Sequence, residues 1–359
     1  MLRALLLLLL AWAGNGQAQD VRDRTAAPAR EVAEAMQLPT GLREALAARR
    51  QERGLPQHER VQRLIDFMVA EDGLALRYQE QPTFGVAESH ARRRVNCLSF
   101  TMMFIALARA SGMRAYAQAS DDALAMRVQG DTLYRAMHVN AGIEVGGVGY
   151  TIDVGWRSLL AVRKLRTISD AQLVALLHNN NAVELLLSGD REQAEMRIQA
   201  ALALDPASAT ILSNAGVLHW RSGRRDAAER AYLQALALQR DHIAALGNLI
   251  GLYRDSGAMQ LADGYARRLR RAQSADPFSQ FLLARSLADA GAYDDAVVHY
   301  RRAVRLLPDE PQFHRSLADA YLAQGKAQAA ERARRHADKL DARRAARRGI
   351  RESANIGPG

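Results

Sequence analysis

The apolar residues of this 359-residue chain follow three different patterns along its length. Between Cys97 and Ala110 nearly every position is apolar, which predicts a helix buried on all sides, and Gly112 follows where that helix would end. From Glu59 to Ala70 the apolar residues recur at helical spacing, which predicts an amphipathic helix packed on the same core. The third pattern is a fixed repeat that fills the second half of the chain.

A β-hairpin is predicted in residues 137–154, where β-branched residues flank Gly146-Gly147. If these two glycines form the turn, Asp153 lies opposite Asn140. His138 lies two residues from Asn140 and therefore on the same face. His138 and Asp153 are then diagonal neighbours on adjacent strands, close enough for an imidazole to meet a carboxylate.

The repeat in the second half has a period of 34 residues. Glycine recurs at Gly189, Gly223, Gly257, Gly291 and Gly325, and alanine recurs in phase at Ala194, Ala228, Ala262, Ala296 and Ala330. This period with small residues in register is typical of tetratricopeptide repeats, in which each repeat is a pair of helices, A and B. The glycine ends helix A, the alanines let helix B approach closely, and Tyr232 and Tyr300 fill the large position between them. The sequence therefore predicts five repeats in an all-α solenoid over residues 175–342.

Cys97 is the only cysteine in the chain, and it falls at the N-terminus of the predicted buried helix. Unpaired backbone N–H groups and the helix dipole favour a thiolate at such a position. A nucleophilic cysteine also needs a base and a group that orients the base, and His138 and Asp153 are candidates for these roles. Alternatively, a lone cysteine is a small buried apolar side chain.

The Asn-Cys-Leu-Ser helix start at residues 96–99, the His-Val strand and the later Ile-Asp strand together resemble the transglutaminase-like superfamily of papain-like folds. The resemblance implies an α+β domain over residues 57–168. It also implies that Cys97 is the nucleophile, His138 the general base and acid, and Asp153 the residue that orients His138. One oxyanion-hole N–H would come from Cys97 itself, and no second donor is assigned.

The N-terminal residues predict export. Residues 1–18 combine one positive charge, a short leucine run and a small-x-small site, as in a cleaved signal peptide with its cut after Ala18 or Ala13. Residues 19–56 are predicted to be a linker with some helix, and no later run is apolar enough to span a membrane. The Ala- and Arg-rich composition suggests a bacterium, so the expected location is the periplasm or the exterior. A single cysteine cannot form an internal disulfide there, which modestly supports a reactive thiol.

By the repeat-family pattern, helix A carries the residues that bind a partner. These residues are Trp220, Arg221, Arg254, Phe278, Phe281, Arg285 and Arg315. Their arginines and aromatic rings predict an acidic or extended peptide partner, although solvated arginines are an equally good interpretation. The tail at residues 343–359 is basic and predicted to be flexible.

The formal net charge of +10 would also suit nucleic acid, but export argues against that partner. An anionic envelope surface or peptidoglycan is a better match, and a solvated charged face is the simplest account. Neither a metal nor a cofactor is predicted. Two functions therefore compete. One is an exported cysteine enzyme that acts on peptide or carboxamide bonds, most simply by hydrolysis. The other is a non-catalytic periplasmic scaffold whose repeats bind protein partners.

Overall fold

The computed structural model describes residues 27–49, 54–129, 132–152 and 165–353, without the side chains of residues 120–138 and 344–353. The signal-peptide prediction and Asp153 lie outside the described residues. The chain forms two compact units. As far as they are described, the first contains residues 27–119, 139–152 and 166–211, and the second contains residues 212–353 together with residues 120–138 and 165.

The first unit combines short helices with a small sheet. Its helices are α1 (27–35), α2 (Thr40–Ala48), α3 (Gln57–Val69), α4 (Val86–Arg92), α5 (Cys97–Ala110), α6 (Asp170–Ser188) and α7 (Arg191–Leu204). The strands of the chain are β1 (Arg77–Tyr78), β2 (Arg94–Val95), β3 (Ala115–Gln129), β4 (Thr132–Val145), β5 (Val148–Ile152) and β6 (Leu165–Ile168). The parts of β3 and β4 within residues 120–138, and the first residue of β6, are counted with the second unit. β1 and β2 pair in parallel, and the other four strands form a sheet in the order β5-β4-β3-β6.

Helix α5 is the core of the first unit. Every residue from Leu98 to Ala108 is buried, which confirms the prediction of a helix that is apolar on all sides. Gly112 follows it with a φ of 75°, a left-handed conformation that favours glycine after a helix end. The apolar face of α3 is buried as well, through residues that include Leu64 and Met68.

The hairpin between β4 and β5 has the predicted turn and register. Val145 pairs with Val148, and Ala141 pairs with Ile152. Both turn glycines, at 146 and 147, have positive φ angles of 57° and 77°, as a two-residue turn of type I′ requires. Gln57, the first residue of α3, holds this turn in place, because its side-chain amide donates to the carbonyl oxygen of residue 144 at 2.7 Å.

The second unit is an array of paired helices, as the 34-residue period predicts. Its helices are α8 (Ala209–Arg221), α9 (Arg225–Leu238), α10 (Ile243–Asp255), α11 (Met259–Ala275), α12 (Pro277–Asp289), α13 (Tyr293–Leu306), α14 (Pro311–Ala323) and α15 (Ala327–Ser353). The even-numbered ones are the A helices of their repeats and the odd-numbered ones are the B helices. All five phase glycines have φ between 73° and 93°, and the in-phase alanines are at most 1% exposed. Tyr232 and Tyr300 are buried between them. These features confirm a helical repeat solenoid.

Two boundaries differ from the sequence prediction. The first repeat, α6 and α7, belongs to the first compact unit and not to the array, because polar contacts tie it there. Arg109 of α5 forms a bidentate ion pair with Asp170 at 2.5 and 3.0 Å, and His178 lies 2.9 Å from Glu31. In addition, α15 continues to Ser353, so the first part of the basic tail is helical, and its flexibility stays a prediction.

Candidate functional site

Cys97 is the first residue of α5, as predicted. The residue before it, Asn96, caps the helix by accepting a hydrogen bond from the Ser99 backbone N–H at 2.9 Å. Asn96 is buried, whereas Cys97 is a half-buried free thiol. The thiol therefore sits among the unpaired N–H groups of the first helical turn, which is the placement a nucleophilic cysteine needs. Sequence reasoning missed Asn96 as the cap, although an asparagine directly before an apolar run is a recognisable cap signal.

The loop before α4 is held rigidly against this helix end by buried hydrogen bonds. The Asn96 side-chain amide donates to Thr83 Oγ1 at 2.8 Å. The Ser99 hydroxyl donates to the carbonyl oxygen of Phe84 at 2.8 Å and accepts from its backbone N–H at 2.9 Å. Because these groups are buried and satisfied, the loop geometry is fixed.

A cavity of about 470 Å³ opens beside this loop, and its lining residues are Gln79, Pro82, Phe84, Arg92 and Arg94. The Arg92 guanidinium stands over the Phe84 ring, 5.0 Å from its centre, and pairs with Glu88 at 2.8 Å. Arg94 donates to the neutral Gln79 side chain and forms no ion pair with a described residue. The cavity is suited to an anionic or amide group next to an apolar one. No sequence pattern indicated it, because its lining comes from separate short elements.

Helix α5 also crosses the strand that carries His138. Thr101, one turn after Cys97, has its hydroxyl 3.4 Å from the carbonyl oxygen of Val139, and both groups are buried. His138 precedes Val139 in β4, and its side chain lies outside the described part of the structure. Asp153 directly follows β5 and is not described either. The Cys97–His138–Asp153 arrangement thus remains a prediction.

The predicted aromatic anchors of the repeat face are used for packing within the array. Phe278 and Phe281 are 1% and 4% exposed, so the expectation that they present their rings to a partner is wrong. The Phe281 ring stacks on Phe313 with centres 4.8 Å apart and lies 5.6 Å from Tyr300. Helices α13 and α14 therefore close over these two rings.

Trp220 is also a packing residue. Its indole ring lies against Gly251 in the next A helix, where an added Cβ would come within 2.8 Å of the ring. A side chain at position 251 would displace the indole, so the small residue lets α8 and α10 approach closely. Trp220 is half-buried and offers only part of its ring to a partner.

The four predicted arginines differ in their availability. Arg254 and Arg285 are exposed and form no ion pair with any described residue. Arg315 pairs with Asp341, and Arg221 is half-buried with contacts of its own. In chain order from Arg221 to Arg315, the four are the thirteenth, twelfth, ninth and fifth residues of α8, α10, α12 and α14. At about 100° per residue they share a sector about 100° wide. Arg254 and Arg285 are the two residues of the predicted set that remain free to contact a partner.

Family models match two parts of the second unit. Residues 209–242 match a model described as tetratricopeptide repeat, and residues 284–325 match one described as TPR repeat. The chain contains tetratricopeptide repeats. No curated protein matches the chain.

Solved structures of MamA also resemble part of the chain. MamA MSR-1 C2 is 20% identical with a TM-score of 0.26, over 48% of this chain and 98% of MamA. MamA 41-end from Desulfovibrio magneticus RS-1 is 18% identical with a TM-score of 0.26, over 46% of this chain and 94% of MamA. At such low TM-scores the likeness carries no argument about function.

Two further observations concern metals and membranes. In the described ranges, no group of three or more His, Cys, Asp or Glu side chains is placed to hold a metal ion. Likewise, none of the helices in the part of the chain that the structure describes is both long and apolar enough to cross a bilayer.

Proposed function

We propose that the chain is a scaffold protein that binds a protein or peptide partner through the A-helix face of its tetratricopeptide repeats. The proposal rests on Arg254 and Arg285, which lie on successive A helices of the repeat array. Both side chains are exposed, and neither forms an ion pair with a described residue. A folded array that keeps guanidinium groups free on one face can hold carboxylates of a partner by charge-assisted hydrogen bonds. The preferred partner is an extended segment with acidic side chains.

Site-specific photocrosslinking tests this proposal. A photoreactive amino acid at position 254 or 285 should crosslink the partner, whereas the same residue at Arg301, on a B helix, should not. The purified partner is then titrated against R254A/R285A, for which we expect a loss in affinity of about ten-fold or more. Equal crosslinking from position 301, or unchanged affinity of the double variant, would show that the partner binds elsewhere.

A second function, cysteine-dependent acyl transfer in the first unit, is supported by the position of Cys97. The thiol sits at a capped helix end, and that helix contacts β4 at the residue next to His138. In this proposal the Cys97 sulfur attacks a carbonyl carbon, and a thioester forms as the amine departs with a proton from His138. Water, deprotonated by His138, then releases the carboxylic acid and restores the thiol, while Asp153 keeps the imidazole oriented.

Alkylation separates the two functions. If Cys97 is catalytic, iodoacetamide should modify it rapidly at a pH of about 6, and H138A should abolish this reactivity. H90A is the control, since His90 of α4 is not a member of the predicted triad, and it should react like the wild-type chain. A thiol that reacts only after unfolding would rule out the enzyme and leave the scaffold function intact.

A further inference from the structure

The B helices α11 and α13 carry a row of exposed arginines that do not contribute to packing within the array. Arg267 of α11 and Arg301 of α13 are separated by one 34-residue period, and so are Arg271 and Arg305. All four side chains are exposed, and none forms a hydrogen bond or ion pair with a described residue. We define these four residues as the B-helix stripe.

Neighbouring arginines show what a structural arginine looks like in this array. Arg268 donates to the carbonyl oxygen of residue 240 at 3.0 Å, and Arg302 makes the equivalent bond to residue 274, also at 3.0 Å. These bonds connect each B helix to the end of the preceding one, and they show that α11 and α13 are neighbours. The B-helix stripe lies directly beside these two arginines but makes no such bond.

The B-helix stripe also opposes helix stability. Arg267 and Arg271 are four residues apart on one helix, as are Arg301 and Arg305, and like charges at this spacing repel. Asp263 lies one turn before Arg267 without forming an ion pair with it, so the charges stay largely uncompensated. The two arginine positions on each helix lie about 6 Å apart along its axis. The arginines of the B-helix stripe recur from one B helix to the next, repel one another and form no ion pair with a described residue. Such an arrangement indicates a partner with many negative charges.

Two features favour an anionic lipid surface over an acidic polypeptide. First, apolar side chains are interleaved with the stripe. Val298 is 60% exposed one turn before Arg301, and Leu233 is 39% exposed at the position equivalent to Arg267 one repeat earlier. Basic residues mixed with exposed apolar ones are suited to the boundary between lipid headgroups and acyl chains.

Second, the basic series continues along α15. One period after Arg301 and Arg305 come Arg335 and Lys339 of α15, which are both exposed, and Arg335 pairs with Glu331 at 3.8 Å. The same two positions of the period are therefore basic and exposed on three successive B helices. A wide basic area suits a planar array of phosphates better than a single peptide strand, which gains affinity mainly from pockets and backbone bonds.

We propose that the B-helix stripe binds the phosphate headgroups of anionic membrane lipids. This surface is separate from the A-helix face, so the proposal does not depend on the protein partner. Binding should be reversible and weaken with salt, because it rests mainly on charge attraction at the surface.

Vesicle co-sedimentation with the full chain tests the proposal. The probes are vesicles of phosphatidylcholine containing phosphatidylglycerol, compared with phosphatidylcholine alone. R301Q/R305Q should lower the partition coefficient roughly thirty-fold, since each basic side chain near an anionic surface contributes about a factor of five. The matched control R254Q/R285Q removes two exposed, unpaired arginines from the A helices and should change binding less than about two-fold.

Three outcomes would overturn the proposal. One is an equal loss with R254Q/R285Q, which would mean that only net charge matters. Another is equal or absent binding to both kinds of vesicle at low salt. The third is binding to soluble polyglutamate without binding to vesicles, which would assign the stripe to an acidic polypeptide. Circular dichroism of both variants confirms that they fold, as expected for substitutions at exposed positions.

Discussion

Phe281→Ala decides whether the aromatic residues of α12 belong to the core or to a binding face. The Phe281 ring is 4% exposed and contacts two aromatic rings, Tyr300 within its own repeat and Phe313 in the next. Removing a buried phenylalanine side chain costs about 3–5 kcal/mol, and the two aromatic pairs place this site towards the upper part of that range. We therefore expect about 4 kcal/mol of lost unfolding free energy, concentrated at the junction of the last two repeats.

Urea unfolding followed by far-UV circular dichroism measures this loss, and hydrogen exchange locates it. Protection of amides in α14 and α15 should fall first, because Phe313 loses its stacking partner. The control is Leu283→Ala on the same helix. Leu283 is 44% exposed, so this variant should lose less than about 1 kcal/mol. Equal losses in F281A and L283A, or unchanged stability of F281A with lost partner binding, would refute the assignment of Phe281 to the core.

Three further substitutions test other parts of the structure. Gly216→Ala should cost about 1–3 kcal/mol in a urea titration, because its Cβ would lie 2.5 Å from the Tyr232 ring. Arg302→Gln should cost about 1 kcal/mol by removing the bond between successive B helices, and thermal unfolding would detect it. His178 has a pKa below its usual value, chiefly because of burial and also because of the nearby Arg197 charge. The unfolded chain then binds more protons, so stability should fall as the pH drops below about 6.5, and H178Q should weaken that dependence in urea titrations at several pH values.

Predictions from the sequence were correct for the features that short-range residue spacing determines, namely a buried helix, a hairpin turn and the ends of the repeat helices. A nearly continuous apolar run of fourteen residues predicts a buried helix, and α5 is buried from Leu98 to Ala108. Two adjacent glycines fix a hairpin turn and hence the register of both strands, and the observed pairing of Ala141 with Ile152 agrees. The 34-residue period fixes where each A helix ends, because each repeat meets the same neighbours as the last.

Tertiary structure decided which side chains remain available to a partner. Phe278 and Phe281 occupy positions that the repeat pattern assigns to an open face, yet α13 and α14 cover them. Whether a helix face is exposed depends on how closely the neighbouring helices pack against it. The spacing of residues within one helix does not determine that packing. Likewise, the loop that walls the cavity lined by Phe84 and Arg94 is held by bonds between residues far apart in sequence, such as Asn96 to Thr83. Local periodicity therefore determined the helices and strands of this protein, and packing between them determined which side chains are exposed to a partner.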